Sequence, residues 1–96
     1  MTRLRITYIA QLSPEEYAQF RERDPGLPAM HADWVAETSK RMDALRRAGV
    51  RPALYPIGFE DMVTSLEILG VTAFDAATRD RYAEDMAAAD ANWSRL

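Results

Sequence analysis

The sequence predicts a small α+β domain, rich in helix, with two short strands. Three observations carry that prediction. Residues 3–11 alternate apolar and polar side chains, the period of a strand. Residues 29–48 and 72–93 repeat apolar side chains every three or four positions, the period of a helix. Between them runs a short apolar segment, Arg51 to Ile57, holding Pro52 and Pro56. At 96 residues the chain has the length of one domain, residues 1–96.

Taken in order, the first strand places Leu4, Ile6, Tyr8 and Ala10 on one face and Arg3, Arg5, Thr7, Ile9 and Gln11 on the other. A strand buried on both faces would read as a continuous apolar run. This one is expected to be covered on one side, or to line a cavity with its polar side. Ser13-Pro14-Glu15-Glu16 has the form of a capping box, with proline where its missing N–H costs nothing. Leu12 and Tyr17 flank it as a hydrophobic staple. The short helix carries Tyr17 and Phe20 and stops at Asp24-Pro25-Gly26.

The long helix puts Met30, Trp34, Val35, Thr38, Met42, Leu45 and Ala48 on one stripe. Arg46 and Arg47 occupy its last turn and complement the carbonyl end of the dipole. Gly49 is placed as its C-cap. The two prolines confine the following strand to an edge.

Residues 59–69 admit two readings. As a helix, Phe59, Met62, Val63, Leu66 and Leu69 share a face, and only Ile68 misses it. As a strand, Met62 to Val71 completes a 51–71 hairpin, which the β-branched Val63, Thr64 and Ile68 favour. In the second case the element order resembles the ferredoxin-like chains that pair into dimeric α/β barrels. That resemblance implies a small isomerase, cyclase or monooxygenase with a cofactor-free pocket. The last helix opens on a second box-like segment, Thr72 to Asp75. Its seam is expected at Thr78, Tyr82, Met86, Ala89 and Trp93, with Asp75–Arg79 and Arg81–Asp85 as i,i+4 ion pairs.

Composition narrows the chemistry. Apolar residues make up 48% and charged residues 28%, as in ordinary globular proteins. With no cysteine and one histidine, metal sites, disulfides and thiol nucleophiles are set aside, and no cofactor is expected. The absence of cysteine and of a signal peptide fits a cytoplasmic protein, and no apolar run is long enough to span a membrane. The net charge of −3 divides into +2 for residues 1–57 and −5 for residues 58–96. That acidic half argues against a nucleic-acid partner. The four glycines stand alone, so no phosphate-binding loop is present.

Two polar residues interrupt the stripe of the long helix. His31 falls in angle between Trp34 and Met42, and Arg41 between Ala48 and Trp34; Thr38 joins them in a polar track. Structural readings exist for each: His31 in a first turn, Arg41 reaching past the edge. Under the enzyme reading, His31 is the acid–base group, Arg41 an anion clamp, and Tyr55 or Tyr8 a hydrogen-bond donor. Under the binding reading, Trp34, Thr38, Tyr8 and Trp93 form contact surface. Two strands make a poor independent sheet. The first expectation is therefore a small interaction protein, acting as a homodimer, accessory subunit or inhibitor-type binder, with a small-molecule ligand as a further option.

Overall fold

The computed structural model describes residues 6–94, with side chains through residue 91. The architecture is α+β. The elements run β1 (Ile6–Gln11), α1 (Tyr17–Arg23), α2 (His31–Arg47), β2 (Arg51–Pro56), α3 (Phe59–Ile68) and α4 (Ala76–Ser94). Phe59 to Ile68 is a helix, so no 51–71 hairpin forms and the barrel-type order is absent. The helical spacing of Phe59, Met62, Val63 and Leu66 prevails over the strand preference of single residues, because it gives α3 one face to bury. Ile68, the residue that misses that face, is 80% exposed.

Helices α2 and α3 end in the same way. Gly49 and Gly70 take φ of 82° and 71°, a left-handed conformation that costs glycine nothing. Gly49 N–H donates to the Arg46 carbonyl and Val50 N–H to the Leu45 carbonyl; Gly70 and Val71 repeat this on Glu67 and Leu66. This is the Schellman pattern, and each apolar residue after the glycine sits beside the helix residue it bonds.

The two strands pair in parallel, Ile6 opposite Arg51 through Gln11 opposite Pro56. In a parallel ladder each residue sends its N–H and C=O to one side, and successive residues alternate. Ile57 N–H donates to the Gln11 carbonyl, which fixes the phase. Pro52, Leu54 and Pro56 therefore turn their backbone groups to the outer rim. Of those three only Leu54 has an N–H. The prolines stand where a donor would invite another strand. On the opposite rim, Ala10 N–H donates to Asp80 Oδ1 of α4 at 2.9 Å. One helical carboxylate thus stands where a third strand would.

The core gathers Ala10, Leu12, Tyr17, Phe20, Leu27, Ile57, Met62, Leu66, Tyr82 and Ala83. Tyr8 and Tyr55 meet edge to face on the same side of the sheet as Ala10. The alternate positions Gln11, Leu54 and Pro56 face α2. Ile9, assigned by alternation to the mostly polar side, is also buried.

Several expectations are corrected. Helix α4 buries Arg79, Tyr82, Ala83 and Ala87 rather than a seam through Met86 and Ala89, which are exposed. It lies close along β1. Small alanines permit that approach, and it lets Asp80 reach the Ala10 amide. The cap of α4 is Asp75, whose Oδ1 accepts from Thr78 N–H at 3.0 Å and from the Thr78 hydroxyl at 2.8 Å. Both bonds hold the Asp75 carboxyl below its ordinary range. Arg79 does not pair with Asp75; it turns inward to Asp24 at 2.7 Å, while Arg81–Asp85 forms at 3.8 Å. On α2, Met30 and Val35 are exposed. Ser13 Oγ accepts from Glu16 N–H, but in the turn that precedes α1: the helix starts at Tyr17, with Glu16 as its N-cap, and not at Pro14. Glu16, however, sends its other oxygen to Phe59 N–H, the start of α3.

Candidate functional site

Helix α2 does not seat fully on the sheet. Of its 17 residues only Thr38 is buried. Between its inner stripe and the sheet lies a groove of about 350 Å³. Trp34, Val35 and Met42 form the helical wall, and Leu54, Pro56 and Ile57 form the sheet wall. The end of the groove is closed by Gln11 to Pro14, where β1 leaves the sheet. It therefore lies near the carboxyl ends of both parallel strands, where open α/β sheets place their ligands. Its volume falls at the lower end of the small-molecule range.

The lining contains no Lys, Arg, Asp or Glu. His31 is its one titratable group. Being at the first position of α2, His31 points back at β1, and its Nε2 lies 2.7 Å from the Leu12 carbonyl. A carbonyl only accepts, so the proton is on Nε2. The imidazole packs on Tyr17 and Trp34, with ring centres 5.2 and 5.3 Å away. Tyr17 donates in turn to the Pro28 carbonyl. Burial raises the phenol above its ordinary 10.0. The aromatic trio is thus locked at one end of the groove.

A phosphate-bearing ligand would seek the amides at the start of the helix after β2. That place is taken. Glu16 Oε2 accepts from Phe59 N–H at 3.2 Å, so the chain supplies its own anion. Among the described residues, no three His, Cys, Asp or Glu side chains gather as a metal site.

The residues expected to act together are divided by the sheet. His31, Trp34 and Thr38 line the groove. Tyr8 and Tyr55 pair on the opposite face, Tyr55 against the core. Arg41 is outside the groove: its Nη2 sits 2.7 Å from Asp80 Oδ2, an ion pair that links α2 to α4 and through Asp80 to β1. That oxygen receives charge contact without an aligned hydrogen bond. Arg41 is a tie between elements here, not an open clamp. Trp93 lies outside the described side chains. The residues not anticipated are Val35, Ser39, Met42, Leu54 and Pro56. Leu54 carried the one available signal, an apolar side chain in the outward phase of a proline-flanked strand.

Comparison with protein-family models, with curated proteins and with solved structures finds no match, so the site rests on its own geometry. Among the described residues no helix is long and apolar enough to cross a membrane.

Proposed function

We propose that this chain is a small cytoplasmic binding protein whose working surface is the groove between α2 and the sheet, and that its ligand is small and uncharged. One observation carries the reading: a well-formed apolar groove with no charged residue in its lining and its single histidine tied to a backbone carbonyl. Burying an ion there would go uncompensated, whereas an uncharged molecule loses little on entry. Catalysis draws less support, because His31 is the one titratable residue of the lining and its Nε2 is tied to the Leu12 carbonyl.

The broader expectation of a homodimer or protein partner docked along a strand edge also draws less support. One rim of the sheet is blunted by Pro52 and Pro56, and the other is occupied by Asp80. The test is amide NMR titration with benzyl alcohol, benzoate and benzylammonium at millimolar concentrations. The expected result is saturable shifts around Val35, Ser39, Leu54 and Ile57 with benzyl alcohol, and at least about tenfold weaker response to the two ions. A Val35→Trp variant, altered at an exposed position of the wall, should lose the response while staying folded. Equal response to all three probes, or shifts elsewhere in the chain, would overturn the proposal.

A further inference from the structure

The end of α3 leaves apolar surface uncovered. By spacing, Leu69 belongs to the stripe of Met62 and Leu66 that faces the core. Met62 and Leu66 are buried, yet Leu69 is 72% exposed and its neighbour Ile68 80%. The helix cap does not use either side chain: Val71, the residue after Gly70, makes the Schellman bond to the Leu66 carbonyl. Single exposed apolar residues are ordinary, but Leu69 borders a hollow. A groove of about 430 Å³ lies between the end of α3 and the first half of α4. Leu66, Leu69 and Val71 form one wall, Tyr82 stands opposite, and the exposed Arg81 and Asp85 form the rim. This groove shares no residue with the one under α2.

Charge tells what would cover it. Residues 58–96 sum to −5. Arg79 is buried in its pair with Asp24 and adds nothing to the surface. Glu67 and Glu84 adjoin lining residues in the chain, and Asp75 is bonded to another, Thr78. With Asp85 these make four exposed acids around the groove, against one exposed cation, Arg81, in its lining. Arg81 meets Asp85 at 3.8 Å between well-exposed side chains, a pair that contributes little and leaves the carboxylate available. A second copy of this chain, packed about a two-fold axis, would set these acids against themselves. An anionic membrane surface would be repelled in the same way. We infer that the α3–α4 groove docks a basic amphipathic helix of another protein. The partner's apolar residues enter between Leu69 and Tyr82, and its flanking Lys or Arg side chains meet Glu67, Glu84 and Asp85. The contact avoids both rims of the sheet and needs no ligand in the groove under α2.

The test titrates the native chain with two synthetic helical peptides, one of leucine and lysine, the other of leucine and glutamate in the same pattern, and reads amide shifts. The leucine–lysine peptide should shift Leu69, Val71, Thr78 and Asp85 saturably and leave Ser39 and Leu54 in place. The leucine–glutamate peptide should bind at least about tenfold more weakly, since like charges oppose it. Two variants at exposed positions separate the contributions. Leu69→Ser should weaken the leucine–lysine peptide at least about fivefold, the loss of one buried apolar side chain. Glu84→Lys combined with Asp85→Lys should reverse the preference between the peptides. Equal affinity for both peptides on the native chain removes the charge match and overturns the proposal. So does a leucine–lysine response that Leu69→Ser leaves unchanged, which is adhesion to an acidic surface only. The proposal falls also if the native chain self-associates through these same amides, or if the peptides shift the groove under α2 instead. Should a variant not fold, the contrast between the two peptides on the native chain still decides.

Discussion

Removing Asp24 should be among the most damaging single changes available to this chain. Arg79 is 4% exposed, so its guanidinium is held almost wholly out of water. Two acceptors make that tolerable: Asp24 Oδ2 and the Phe74 carbonyl, each 2.7 Å from Nη1. They come from the α1–α2 and α3–α4 connections, so Arg79 pins two loops to α4. In Asp24→Ala the guanidinium keeps one carbonyl and no counter-charge. Stranding a buried charge costs about 3–5 kcal/mol. Asp24 keeps 22% of its side chain exposed, which lets water reach the pair, so the lower end, about 3 kcal/mol, is the expectation. Domains of this size have roughly 5–15 kcal/mol in total, and each kcal/mol moves the midpoint by about 4–8 °C. The Tm should fall by at least about 12 °C. Arg79→Met removes the charge and keeps the aliphatic stem, so it should cost less. The double variant should recover much of the loss, because no charge is then stranded. The assay is urea unfolding by far-ultraviolet circular dichroism across the four-member cycle. An Asp24→Ala cost below about 1 kcal/mol, or additive single losses, would refute the argument that a buried charge is held by this pair.

Asp80→Ala should leave the Ala10 amide without its acceptor and release Arg41, costing about 1–3 kcal/mol; hydrogen exchange at Ala10 should accelerate more than at Ile9. Replacing Pro52 and Pro56 together by alanine should add two donors to the outer rim of β2, and sedimentation should then show concentration-dependent association absent from the native chain. Burial raises the Tyr17 phenol from 10.0, so the folded state favours its neutral form. The stability this contributes is complete below the unfolded value and is lost as pH rises through the folded one. A Tm series from about pH 8 to about pH 11 should show an alkaline fall that Tyr17→Phe flattens.

Local structure was largely legible in the sequence because it depends on near neighbours. The Ser13–Glu16 turn, the Gly49 stop and the edge position of the proline-bearing strand are all decided within four residues, whereas residues 59–69 read as helix or strand until the fold chose helix. Half of the groove was legible too. His31, Trp34 and Thr38 stood out as a mixed stripe on one helix, and they line one wall. The facing wall was not, since nothing in the spacing of Leu54 and Pro56 tells which helix lies opposite.

The rest was decided by tertiary structure. Periodicity alone assigned α4 a seam through Met86, and it cannot tell that α4 runs against a strand edge, where alanines must face inward. Charge spacing offered Asp75 to Arg79 as a surface pair. Folding instead sends Arg79 to a carboxylate 55 positions away, since the buried guanidinium needs a counter-ion. In the same way Arg41 became a tie to Asp80, and Glu16 an anion for the start of α3. The sequence by itself determined most helices and strands, leaving residues 59–69 open between the two, and where a polar residue breaks an apolar face. Only the fold decided which charges meet, because desolvation selects partners by proximity in space. It also left α2 standing off the sheet, with a groove between them.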